Sequence, residues 1–178
     1  MIDAGQPSCP SLYWVISRLM IMKSIAQDAQ RLSLLFQFGV IDAKAAISWA
    51  DPFIVEMDSP PDLLIQLSTT APEKTGDILS CLRALGLGAD FWTAFRSTIP
   101  QIRAFIAFHP ELAERVADHM SFIACTVGDV PEDLLFINRY DDAFLLARQD
   151  MYGDVNTIRE ELIREMDEFG KRSDNLVK

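Results

Sequence analysis

A chain of 178 residues, 49% hydrophobic and 24% charged, is long and apolar enough to bury a core without a disulfide or metal staple. Its formal net charge of −10 repels phosphate backbones and anionic membrane surfaces, and the longest basic cluster is Lys171-Arg172, so neither nucleic acid nor membrane is an expected partner. Three scattered cysteines, Cys9, Cys81 and Cys125, lack metal-ligand spacing and point to a reducing, cytoplasmic setting with thiols used as small buried hydrophobes.

The N-terminal run Leu12 to Met22 is apolar but broken by Arg18, too short to span a bilayer, and without a basic leader or cleavage site. Residues 1–22 are therefore expected to be an extension or an extra helix docking through Tyr13, Trp14, Ile16 and Leu19, with Met20 and Met22 as alternative starts. From 23 to 172 the pattern is that of one helical domain, and 173–178 reads as a frayed tail.

Ser24 to Phe38 repeats apolar residues at Ile25, Ala29, Leu32 and Phe36, one helical face, and Gly39 is a natural stop. Asp42 caps a second helix with Ala46, Ile47, Ala50 and Ile54 inward, which Pro52 must kink or interrupt. Ser59, as N-cap before Pro60, starts a third helix carrying Leu63, Leu64 and Leu67. A fourth runs from Asp77 to Leu85, closed by Gly86 and Gly88. Ala89 to Phe108 is helical by composition, with Pro100 expected to split it in two. His109-Pro110 opens a helix with Leu112, Val116, Met120 and Ile123 on one face, ended by Gly128. Pro131 and Asp141 each start a short helix, and a last one from Val155 to Phe169 turns Ile158, Leu162, Met166 and Phe169 inward. With no sustained alternation of period two and no hairpin turn, the predicted class is all-α: a multi-helix bundle or short helical-hairpin array of about seven to nine helices.

Catalytic constellations are missing. His109 and His119 stand ten residues apart, roughly 15 Å on a helix, and cannot share a metal. There is no nucleophile elbow, no phosphate loop and no zinc spacing, so neither a catalytic residue nor a metal or other cofactor is expected. Cys81 and Cys125 lie in apolar segments that would keep their thiols protonated and inert. The aromatics Phe91, Trp92, Phe95, Phe105 and Phe108 could line a ligand pocket, although core packing explains them at lower cost. Asp51, two residues after Trp49, could accept its indole hydrogen or cap the next helix.

The one compositional departure lies at 129–154. Asp129, Glu132, Asp133, Asp141, Asp142, Asp150 and Asp154 oppose only Arg139 and Arg148, so seven acids less two bases leave −5, half of the chain's charge. Asp141-Asp142 suits the positive end of a helix, and adjacent side chains diverge by about 100° rather than converging on one ion. These seven acids are the candidate surface for a basic protein partner.

The residues Ile47-x-Trp49-Ala50-Asp51 and Asp58-x-Pro60-Pro61-x-x-Leu64-Ile65-x-Leu67-Ser68 resemble a signature of small helical bacterial proteins, some similar to immunity partners of polymorphic toxins. The resemblance covers about thirty of the 178 residues and implies toxin neutralisation as one form of partner binding. The expectation is thus a non-enzymatic, acidic binding module, open to homo-oligomerisation. The alternative is a small-molecule or metal-binding helical enzyme with an aromatic-lined pocket.

Overall fold

The computed structural model describes the backbone of residues 12–176 and the side chains of 20–171. Among these residues there is no strand, and the all-α expectation is met by nine helices: α1 (Leu12–Phe38), α2 (Ala43–Ser48), α3 (Asp51–Glu56), α4 (Asp62–Thr69), α5 (Thr75–Leu85), α6 (Phe91–Phe108), α7 (Ala113–Val127), α8 (Tyr140–Arg148) and α9 (Val155–Leu176). Two 3-10 segments, Pro110–Leu112 and Glu132–Asn138, lead into α7 and α8. No helix among the described residues is long and apolar enough to cross a membrane.

The buried side chains form two clusters, and α1 serves both. One face of α1 sets Ile25 and Ala29, flanked by Leu32 and Phe36, against α2, α4 and α5, where Ala46, Ala50, Leu64, Leu67, Ile78 and Leu82 are wholly buried. Another face sets Leu34, Leu35 and Phe38 against α6 and α7, in a larger cluster continued by the 3-10 segment 132–138, α8 and α9. Each large side chain so enclosed stabilises the fold by about 1.5–3 kcal/mol. The stripe Ile25, Ala29, Leu32, Phe36 was legible as one helical face; the second face shows why the helix is apolar nearly all round. Gly39 ends α1 with φ +75°, and the Val40 amide donates to the Leu35 carbonyl (2.9 Å), closing the last turn.

Local chemistry explains most boundaries. Asp42 caps α2, its Oδ1 accepting from the Ala45 amide at 2.8 Å. Pro52 falls in the first turn of α3, where its missing amide costs nothing, and so divides α2 from α3. Asp51 does not serve Trp49: its Oδ1 accepts from the Ser68 hydroxyl (2.6 Å), tying α3 to α4, while the Trp49 ring packs edge-on against Phe53.

Four expectations are corrected. The helix expected from Ser59 and Pro60 begins at Asp62, with the extended residue Pro61 as its flank, because consecutive prolines hold the preceding backbone extended. Pro100 does not split α6. It lies on the exposed side, so the carbonyl it leaves unpaired costs little, while Phe95, Ile99, Ile102 and Ile106 are buried along one continuous face. The segment after Pro131 is 3-10 rather than α, and α8 starts at Tyr140, placing Asp141 in its first turn instead of at the cap. Both terminal helices run further than expected: α1 is continuous from Leu12, and α9 continues through 173 to Leu176. The expected docking of Tyr13, Trp14, Ile16 and Leu19 lies outside the described side chains.

Candidate acidic groove

The 3-10 segment 132–138 is short because Leu134, Phe136 and Ile137 must all be buried within two turns, which leaves Glu132, Asp133 and Leu135 outside. Alongside runs α9, whose Phe169 meets Phe136 with ring centroids 6.3 Å apart. Between them opens a groove of about 300 Å³ lined by Glu132, Asp133, Leu135, Phe136, Arg139, Glu165, Glu168 and Phe169. Four carboxylates thus surround an aromatic and aliphatic floor.

Arg139, the residue before α8, folds across the groove onto the Glu165 carboxylate. The second oxygen of Glu165 is buried without a hydrogen-bond partner among the described residues. Next to it, burial, with the Glu165 charge added, pushes the Tyr140 phenol up to about 12. With that pKa the phenol stays protonated and neutral, and Arg139 balances the Glu165 charge, so what this end of the groove offers a further cation is the buried, unpartnered Glu165 oxygen as an acceptor. At the other end, Arg96 of α6 grips Asp133 with two bonds of 2.8 Å. That hydrogen-bonded guanidinium holds the Asp133 carboxyl below the usual range.

The Arg96–Asp133 pair has a readable consequence. Both side chains are more than a third exposed, so solvent screening keeps its worth below about 1 kcal/mol. Asp133→Asn should therefore cost a few tenths at neutral pH in urea denaturation. Because the folded carboxyl is depressed, the stabilisation is fully present above about pH 4 and is lost as pH falls through the folded value. The gap between parent and variant should close on acidification; a gap that widened would refute the pairing.

Of the seven predicted acids, the groove collects Glu132 and Asp133. Asp129 is exposed in a left-handed turn (φ 46°) after Gly128, and Asp150 is exposed in another (φ 54°) after α8. Asp142 is exposed in the first turn of α8, while Asp141 keeps one carboxylate oxygen buried without a hydrogen-bond partner among the described residues. Asp154 is a cap: its carboxylate accepts from the Asn156 amide (2.9 Å) and the Thr157 amide (3.1 Å), and the Thr157 contact lowers its pKa. Glu165 and Glu168 were missed, because on the sequence they belong to the outer, solvated side of the last helix. The signal available was their placement, each immediately before an inward residue, Glu165 before Met166 and Glu168 before Phe169. Arg139 and Arg148, the two bases of the block, both reach outside it, to Glu165 of α9 and Glu114 of α7.

The remaining candidates separate. Phe95 is core, Phe91 and Trp92 pack on it edge-on or stacked, and Phe108 is 83% exposed at the far end of α6, so the five aromatics line no common pocket. Among the described residues no group of three or more His, Cys, Asp or Glu could hold a metal ion. Cys81 is buried, which pushes its thiol up, but Cys125 is exposed on α7, contrary to expectation, because the apolar stripe of that helix passes through Ile123 and Ala124 instead. Comparison of the chain with protein-family models, with curated proteins and with solved structures returned no match.

Proposed function

We propose that the protein is a non-enzymatic binding module that takes a cationic side chain of a protein partner into the groove at 132–169. One observation carries this reading: four carboxylates stand around a phenylalanine floor, and the molecule's own Arg139 lies across it on Glu165. The floor accepts the aliphatic stem and planar face of arginine, and the carboxylates accept its hydrogens. Asp141, Asp142, Asp150 and Asp154, outside the groove, extend the negative field that would steer such a partner in. Toxin neutralisation is one concrete form of this activity, and the resemblance at residues 47–68 supports it.

The probe is a fluorescein-labelled nona-arginine peptide, followed by anisotropy at 0.15 M salt. Glu132→Gln with Glu168→Gln should weaken capture by about tenfold, the cost of two charge-assisted bonds partly screened by water. Glu56→Gln with Asp58→Asn removes the same charge from a remote surface and should change it by less than twofold. Equal losses in the two double variants would show that only overall charge is being read, and the groove would be wrong.

A further inference from the structure

A second cleft, of about 310 Å³, lies where α7 passes the end of α1, lined by Gln37, Phe38, Arg115, Val116, Asp118, His119 and Phe122. Its chemistry is opposite to that of the acidic groove. We propose that this cleft binds a small organic monoanion, a carboxylate carried on an aromatic or apolar body.

The cleft's own guanidinium is Arg115, and a second, Arg83, stands beside it on Gln37. Among the described residues Arg83 of α5 donates from Nη2 to Gln37 Oε1 (2.8 Å) and meets no carboxylate, and Arg115 has no hydrogen-bond or ion-pair partner. Arg96, Arg103, Arg139 and Arg148 are each paired with a carboxylate; of the five described arginines without such a pair (Arg31, Arg83, Arg115, Arg159 and Arg164), Arg115 lines this cleft and Arg83 reaches its edge through Gln37. Arg115 approaches the turn at Gly39, close to the end of α1. The apolar wall is built for a flat body: Phe122 is 63% exposed and nearly parallel to the His119 ring (18°, centroids 6.2 Å), and Phe38 closes the floor edge-on to the same imidazole. His119 Nε2 is buried with no hydrogen-bond partner among the described residues. Desolvation first, then Arg115 and Arg83, lower the pKa of this imidazole, so it stays neutral and adds no charge. Among the lining residues Arg115 and Asp118 balance, and Arg83, held on Gln37 at the cleft's edge, leaves the surroundings at +1, which suits a monoanion better than a phosphate dianion. The volume is at the lower end of small-ligand pockets, about 300–1,000 Å³.

Benzoate is the probe, with benzamide as its uncharged counterpart and inorganic phosphate as the dianion. The readout is the imidazole resonances of His119 in a proton NMR titration; with two histidines in the chain, His119→Gln assigns them. Benzoate should shift the His119 signals saturably and phosphate should act more weakly, with no response to benzamide. Arg115→Gln should weaken benzoate about tenfold or more and Arg83→Gln severalfold, in line with loss of a charge-assisted bond, while Lys44→Gln on α2 leaves it unchanged. Should Arg115→Gln fail to fold, Arg83→Gln and the benzamide arm decide. An absent or unsaturable shift, an equal response to benzamide, tighter binding of phosphate, or benzoate affinity unchanged in the arginine variants would each overturn the assignment.

Discussion

Phe38→Ala should cost about 3–5 kcal/mol, the range for deleting a buried phenylalanine whose surroundings cannot collapse. Phe38 is 2% exposed and sits where three helices meet, against Phe95 of α6 (6.3 Å between ring centroids) and edge-on to His119 of α7 (4.8 Å). Both ring neighbours belong to other helices, α6 and α7, that are anchored by their own buried faces, so relaxation into the cavity is limited. At this chain length each kcal/mol lowers Tm by about 2–4 °C, so a drop on the order of 10 °C is expected in a thermal melt. Phe38→Leu keeps most of the volume and should cost less than about 1.5 kcal/mol. A loss below 1 kcal/mol for the alanine variant would contradict the packing at this junction.

Gly86→Ala is the second large effect, and its sign is the informative part. Gly86 has φ −77°, ordinary right-handed backbone, so on conformational grounds alanine should gain up to about 1 kcal/mol. Space decides otherwise. A Cβ there would stand 2.9 Å from Gln30 Oε1 and, less forgivingly, 3.1 Å and 3.2 Å from the backbone N and Cα of Gln30 on α1. The side-chain oxygen can rotate away; the helix backbone cannot. Separating α1 from α5 by a few tenths of an ångström disturbs the neighbouring Ile25, Ala29 and Leu82, all buried, and a loss of about 1–3 kcal/mol is expected from overpacking. Gly170 in α9, where an added Cβ meets nothing within 4 Å, supplies the contrast: Gly170→Ala should gain about 0.5–1 kcal/mol. Urea midpoints moving in opposite directions for the two variants would establish the close α1–α5 crossing; a gain for both would rule it out.

Much of the helical order was legible because it rests on near-neighbour chemistry. Asp42 caps where a capping residue is expected, Pro52 divides two helices through its missing amide, and the inward stripe Ile158, Leu162, Met166, Phe169 follows from 3.6-residue periodicity alone. Illegible features depend on what lies across the core. Pro100 stays inside α6 because its position faces solvent while four apolar neighbours are held by other helices, a balance no local window contains. The second buried face of α1 was hidden by the first, since Leu34, Leu35 and Phe38 break the period that Ile25 and Ala29 set. The acidic groove was half legible: Glu132 and Asp133 stood out by charge density, but Glu165 and Glu168 join them only after α9 returns beside the 3-10 segment. The cleft at His119 left no trace, because Arg83, Gln37 and Arg115 come from three different helices.

That α1 has side chains in both apolar clusters bears on how the molecule comes apart. A wall common to two rooms cannot be removed from one of them alone. Unfolding the cluster of α2, α4 and α5 would strip one face of α1 and leave Ile25 and Ala29 in water, while loosening α6 and α7 would do the same to Leu34, Leu35 and Phe38. Each cluster therefore raises the free energy of opening the other, and the two are coupled into one cooperative unit without needing a broad direct contact between them. A perturbation at the acidic groove and one near the Asp51–Ser68 tie, far apart along the chain, would meet energetically in this single helix.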